Sequence, residues 1–331
     1  MSASAPHFDG VRLHVVSGKG GTGKTTVAGA LAIALATGGR KVLLVEVEGR
    51  QGISRVFDSS PLPYGETKIA SAPGRGEVFA LAIDAEAALL DYLEMFYNLR
   101  RAGSALKKMG AVDFATTVAP GLRDVLLTGK TCEAVRRTTA GKPAYDFVVM
   151  DAPPTGRIAR FLNVNSEVAG LAKVGPIKNQ ADSVMRVIRS PHTAVHLVTL
   201  LEEMPVQETI DGVLELRDEA LPIGGLIVNE VQPAALPEAA LAAVRAGKLG
   251  ADEIIDHLPA AGLSHAVAKV AAPGLAVVGE RHAVRLELQG QERKRLTTLS
   301  LPTAELPYLT EGVDLGGLYE LATLLSEQGW A

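Results

Sequence analysis

The sequence predicts an α/β fold, a mostly parallel sheet flanked by helices and carrying a helical insertion. Three observations predict it. Short β-branched apolar runs alternate with helical stretches along the chain. The first two such runs are joined by a glycine-rich loop and a helix without a charged residue. Glycine supplies 34 of the 331 residues, well above its usual share of about 7%, and where those glycines sit matters more than how many there are.

Val11 to Ser17 (VRLHVVS) reads as a buried strand that runs into a loop. Thr25 to Ala36 (TTVAGALAIALA) has neither proline nor charge, so its helix is apolar nearly all round and has to pack inside, against a sheet. Gly38-Gly39 stops it. Lys41 to Val47 (KVLLVEV) is the next strand, and strand, loop, helix, strand is the βαβ unit of a parallel sheet. Further strands are expected at Val78–Asp84, Phe147–Met150, Ala194–Leu200 and Gly225–Asn229. Residues 58–77, rich in Pro, Gly and Ser, read as a flexible loop. Residues 85–140 read as mainly helical, with Leu89, Leu90, Leu93, Phe96 and Tyr97 on one face, and form an insertion beside the sheet rather than a separate domain. Glu280–Arg295 reads as a charged surface helix or pair of helices. Residues 1–331 are therefore taken as one domain.

Composition limits the function. Thirty-three basic against 37 acidic residues leave a net charge of −4, so the broad basic surface of a nucleic-acid binder is not expected. Cys132 is the only cysteine; alone it builds no disulfide, four-cysteine zinc site or iron–sulfur cluster, and a reducing cytoplasm is the expected compartment. Met1–Gly10 lacks the basic start and apolar stretch of a signal peptide, and no run of eighteen uncharged apolar residues occurs.

The strongest motif is Gly18-Lys19-Gly20-Gly21-Thr22-Gly23-Lys24-Thr25, which fits G-x4-G-K-[ST] after a strand and at the opening of a helix. Glycines let the backbone wrap so that N–H groups converge, and with the positive helix N-terminus they form a cradle for phosphate oxygens. Gly20, Gly21, Thr22, Gly23, Lys24, Thr25 and Thr26 are the expected nucleotide-binding residues. Lys24 is placed against the β- and γ-phosphates, with the Thr25 hydroxyl on Mg²⁺. A second constellation is FVVMDAPPTGRIARFL, Phe147 to Leu162. There a strand delivers Asp151 to hold a Mg²⁺ water, and Gly156 is expected to let the following turn move.

The second lysine in GKGGTGKT resembles the deviant loop of a class of dimeric P-loop ATPases, and that likeness implies that Lys19 reaches the phosphates held by a partner subunit. DAPPTGRIARFL resembles the corresponding segment of the arsenite-pump ATPase and tail-anchored-protein-targeting ATPase family, with Pro153 in place of an alanine. Val78–Leu93, residues 197–209 and GLIVNEV resemble that family further. The resemblance implies an ATP/ADP- and Mg²⁺-using ATPase that couples nucleotide state to a subunit interface. It also implies that Asn229 reads adenine, with Pro307, Leu309 and Val313 forming the adenine loop. An amide suits adenine's donor and acceptor edge.

The departures matter equally. Where the family has a water-positioning aspartate in D-P-A-H, this chain has Glu48 within VEVEGRQGISRVF. A carboxylate one methylene longer can still orient water, but a misplacement of about 1 Å can cost about a hundredfold in rate, so slow hydrolysis is expected. This form most resembles paired, half-length actinobacterial ATPases, which implies either a homodimer or a heterodimer with a paralogue. A C-x-x-C dimer zinc and a methionine-lined client groove have no counterpart here, with one cysteine and six methionines. His192 and His196 precede or enter a strand, where a spacing of four implies no shared metal. Two other readings stay open: a nearly inert nucleotide-holding subunit, and a positioning ATPase, for which the uncharged or acidic tail Leu315–Ala331 supplies neither lipid nor DNA affinity. The cargo and any membrane partner are not legible.

Overall fold

A computed structural model describes residues 8–97, 120–164 and 176–331. The chain opens with β1 (Leu13–Gly18), α1 (Lys24–Ala36), β2 (Lys41–Glu46) and the short α2 (Gly52–Val56). It continues through β3 (Thr67–Ala72), β4 (Gly76–Ala82), α3 (Ala85–Tyr97) and α4 (Pro120–Arg136), then a two-residue hairpin, β5 (Thr138–Thr139) and β6 (Lys142–Pro143). After these come β7 (Phe147–Asp151), α5 (Thr155–Leu162), α6 (Pro176–Ile188), β8 (Thr193–Thr199), α7 (Glu203–Asp218) and β9 (Ile223–Val231). The last part holds α8 (Glu238–Arg245), α9 (Ala251–His257), α10 (His265–Thr297), β10 (Thr303–Pro307) and α11 (Leu315–Glu327).

Eight strands form one sheet in the order β10-β9-β8-β1-β7-β2-β4-β3, parallel except for β3. The central strand is β1, between β7 and β8. In register, Val16 lies opposite Asp151, and Asp151 lies opposite Glu46. The loops that leave β1, β7 and β2 therefore open at one carboxyl edge, the position where open α/β sheets place their ligands.

Side chains alternate between two cores. Leu43 and Val45 enter the core under α4 to α7, whereas Val42 and Leu44 face α1 and α11. All ten residues of Val27–Ala36 are buried, as expected of a helix with no polar face, and α11 covers α1 from outside with Leu318, Leu321, Ala322 and Leu325 buried.

The structure differs from expectation in one place and decides between two alternatives in another. Thr67–Ala72, within the stretch read as a loop, is the antiparallel edge strand β3. An edge strand needs one partner and one buried face, so its residues carry little of the apolar signature of a central strand. The charged segment Glu280–Arg295 belongs to a single 33-residue helix, α10. In the helical insertion Leu89 is buried and Leu90 half-buried; residues 98–119 and the side chains of Leu93, Phe96 and Tyr97 lie outside the described part.

The core also holds a polar pair that reading along the chain did not connect. His196 meets His14 across β1 and β8 rather than His192; Nδ1 of His14 is 3.0 Å from Nε2 of His196, the rings stack, and Phe8 and Trp330 close around them. Burial pushes His14 down to about 3 and His196 well below its ordinary range, the second further lowered by the first. Both are neutral when folded, and the unfolded chain binds protons below its own value of about 6.5. This stability is complete above that pH and is lost as pH falls through the window toward 3, by an amount of the order of 2 kcal/mol for His14 at pH 5, with His196 acting in the same direction. We expect the urea midpoint to fall between pH 7 and 5, and the variant His14→Leu/His196→Leu to flatten that fall; equal slopes in the two proteins would refute the assignment.

Candidate functional site

The loop between β1 and α1 is shaped by what its glycines approach. Gly21 and Gly23 have φ of 89° and 80°, where side chains are disfavoured. A Cβ on Gly23 would also stand 2.3 Å from the Asn229 amide nitrogen, and one on Gly18 would stand 2.2 Å from the Val198 carbonyl oxygen. Thr22 is buried and turned inward: its hydroxyl donates to the Lys19 carbonyl at 2.9 Å. The loop ends with Gly23 as the residue before α1, so the free N–H groups of the first turn face the open end.

A cavity of about 290 Å³ lies over this loop, lined by Gly20, Gly21, Gly23, Lys24, Thr25, Thr26, Glu46, Glu48, Arg50, Gly52, Arg55 and Asp151. The loop glycines, the helix-start lysine and threonines, the strand-end aspartate, and the glutamate at the place of the switch aspartate thus meet in one hollow. The Thr25 hydroxyl donates to Asp151 Oδ2 at 2.7 Å, while Asp151 Oδ1 is buried without a partner. Burial raises Asp151 to about 6, against the lowering effect of Thr25 and Lys24, with Glu46 and Glu48 adding to the rise. Burial likewise lowers Lys24; Asp151 and Glu48 oppose that fall and Arg50 adds to it. Such mutual perturbation in a cleft makes these groups candidates for a functional site.

Glu46 was missed by reading the sequence for switches. It is 2% exposed, sits beside Asp151 in register, accepts the Ile53 N–H at 3.0 Å with Oε2, and leaves Oε1 buried and unpartnered. The signal was present: an acid that follows the apolar run Val42–Val45 within one buried strand has to find a hydrogen-bond donor, a charge or a cation. Two orphaned carboxylate oxygens and a hydroxyl form an oxygen-only donor set, suited to a hard cation such as Mg²⁺ that completes its shell with water and phosphate. Among the described residues no group of three or more His, Cys, Asp or Glu could hold a metal by itself.

The segment after β2 departs from a plain loop. Gly49 and Gln51 have φ of 67° and 53°, and the Gln51 amide bonds Leu62 in both directions, accepting its N–H at 2.7 Å and donating to its carbonyl at 3.2 Å. This clamp holds Glu48 facing the cavity, with Arg50 3.8 Å away. On the other side, the Ser17 hydroxyl donates to the Pro153 carbonyl at 2.6 Å and ties the Asp151 turn to β1. Gly156 lies in the first turn of α5 with open space around it and no left-handed φ, so the freedom expected of it is not used in this conformation.

Six expected residues, Lys19, Thr22, Asn229, Pro307, Leu309 and Val313, do not line the cavity. Lys19 points to α7, where its ammonium is 2.6 Å from Glu208 Oε1. Asn229 is buried behind the loop and donates its amide N–H to the Thr22 carbonyl at 3.1 Å, because β9 ends against the loop at the place where Gly23 lets it approach. Pro307 pairs in register with Val231, so the end of β10 lies beside the end of β9, with half-buried Leu309 just beyond, packed on the α1 core. Val313 is exposed.

Residues 11–192 match the family model described as anion-transporting ATPase. The chain is 55% identical over 323 residues to ATPase BagA of Mycobacterium tuberculosis, a match covering 97% of this chain and 94% of that one. It is 27% identical over 332 residues to the arsenical pump-driving ATPase of Acidiphilium multivorum, covering 92% of this chain and 53% of the other. It is also 26% identical over 251 residues to ATPase GET3 of Kluyveromyces lactis, covering 65% and 71%. The glycine cradle, its strand-end aspartate and the breadth of these matches agree, and the chain belongs to the anion-transporting ATPase family.

Proposed function

We propose that this chain binds Mg·ATP over the Gly18–Thr25 loop and hydrolyses it slowly to ADP and phosphate as one subunit of a dimer, homomeric or with a paralogue. The observation that carries the reading is the convergence of Lys24, Thr25, Asp151 and Glu48 on one cavity at the loop's open end. Lys24 neutralises charge on the β- and γ-phosphates, and the loop N–H groups hold their oxygens. Thr25 and Asp151 hold Mg²⁺, Asp151 through a water, and the ion when bound offsets the charge that builds between those phosphates. Glu48 orients the attacking water. Asn229, Pro307 and Leu309 border the adenine.

Lys19 is proposed to act in trans. Its pair with Glu208 is between groups 30% and 37% exposed, and such pairs contribute about 1 kcal/mol or less, so a partner's phosphates outbid it. Membrane attachment through the tail is disfavoured because the apolar face of α11 is spent on α1. No described helix is long and apolar enough to cross a membrane; a cytoplasmic site of action without nucleic acid remains the proposal. A second reading, a nucleotide-holding subunit that completes a partner's site, draws support from Arg50 beside the longer carboxylate of Glu48, which competes with water positioning.

Steady-state turnover and nucleotide affinity separate these readings. Lys24→Ala is expected to abolish turnover and weaken ATP binding. Glu48→Gln is expected to lower kcat by about a hundredfold with ATP affinity nearly unchanged, the pattern of a group acting only in the transition state. Retained ADP and no turnover above the Lys24→Ala level, alone or with a paralogue, would replace the first reading by the second. Lys19→Ala is expected to lower kcat by at least about a thousandfold without changing nucleotide affinity in the isolated subunit; an unchanged kcat would remove the trans role.

A further inference from the structure

Helix α10 spans 33 residues, about 50 Å, and is apolar on two opposite sides. Its inner side buries Ala268, Ala272, Ala283 and Leu296, covered by α7, α8 and α9. Its outer side exposes Val267, Val270, Val277, Val278, Val284 and Leu288, with Val270 84% exposed. Counting Gly274 and Arg281, the outer positions 267, 270, 274, 277, 281, 284 and 288 alternate steps of three and four, which is the heptad spacing of a two-helix seam. A helix apolar on both sides needs two partners, and the described chain supplies one.

We infer that a second copy of this chain covers this stripe, α10 against α10 in parallel register. Charge selects the register. Parallel pairing brings positions five residues apart together across the seam, which sets Glu280 against Arg285 of the partner subunit, and by symmetry twice. Both residues are exposed and hold no ion pair in the described structure. The other flanking residues of the first two heptads, Ala266, Ala271, Pro273 and Val278, are uncharged, and in the next heptad Glu287 falls opposite a Glu292 whose carboxylate is already compensated by Arg295 of its own chain at 2.8 Å. Arg281 is the one charged residue on the seam itself, and a single polar seam residue favours a defined register over maximal stability.

Size and position agree. The seam from Val267 to Leu288 is about 32 Å long, so two copies meeting along it would face each other over about three heptads. At its C-terminal end, Arg285 and Leu288 border a 570 Å³ cavity that also includes Glu202 and Glu203 at the start of α7. That helix carries Glu208, the holder of Lys19, and Arg295 of α10 donates to its Gln207 at 2.5 Å. The stripe is therefore continuous with the side from which Lys19 leaves its own subunit. The inference rests on the dimer reading above and adds to it a contact that is independent of nucleotide.

Cys132 is fully buried, so single cysteines placed on the seam report alone. In the nucleotide-free full-length protein, Val270→Cys and Val277→Cys should each form a disulfide-linked dimer under mild oxidation, whereas Leu214→Cys, an exposed control on α7, should not. V270E/V277E should weaken dimerisation by about a hundredfold or more in sedimentation velocity, with thermal unfolding and nucleotide affinity close to wild type. A wild type that sediments as a monomer without nucleotide, seam cysteines that link no faster than the control, or a V270E/V277E protein that stays dimeric would each overturn the inference. Lys24→Ala separates it from the ATPase reading, since that variant should lose turnover and remain dimeric through the seam.

Discussion

The constraint on which the rest of the structure depends is the desolvated carboxylate of Asp151. A carboxylate 8% exposed is costly unless cationic or hydrogen-bonding groups surround it. Here Thr25 and Lys24 supply part of what it needs, and Glu46 and Glu48 add charge of the same sign, so one oxygen is left waiting and the group is raised to about 6. That arrangement leaves a buried acceptor that a cation could satisfy, and it fits the Mg·ATP reading proposed above. The neighbouring β1, β2 and β7 bring these groups to one edge because parallel strands in register end together.

Close approach of backbones is the second organising feature, and it follows from the first. Gly23 yields to Asn229, and Gly18 yields to the end of β8, so the loop sits low on the sheet with its N–H groups directed outward. The apolar surround of α1 excludes water from below, which strengthens every charge interaction above it. Outside this edge the molecule holds its polar groups differently. The His14–His196 pair lies near Trp330 and Phe8, far along β1 from the loop, and its neutrality belongs to stability rather than chemistry.

Much of the site was legible because its chemistry is local. The glycine spacing, Lys24, Thr25 and Asp151 each lie in a short motif whose strand and helix context can be read along the chain. Glu46 was not, since its importance comes from being opposite Asp151 across a sheet, a distance of about a hundred residues along the sequence. Glu208 as the holder of Lys19, and Asn229 as a brace for the loop, were hidden for the same reason: each depends on which strands are neighbours. Strand β3 was passed over because an edge strand with half-exposed residues carries no strong alternation, and the two apolar sides of α10 were hidden because their signals cancel when the helix is read as a single amphipathic face.

The sequence by itself determined the α/β class, the glycine loop, the strand-end aspartate and the family, since each follows from residue type and spacing within a few turns of chain. Only the tertiary structure decided that Glu46 joins Asp151, that Lys19 rests on Glu208, that two histidines share a dry pocket, and that a valine seam faces solvent. The physical reason is the same in each case. Burial and charge compensation are properties of neighbours in space, and a parallel sheet makes neighbours of residues that the chain holds far apart.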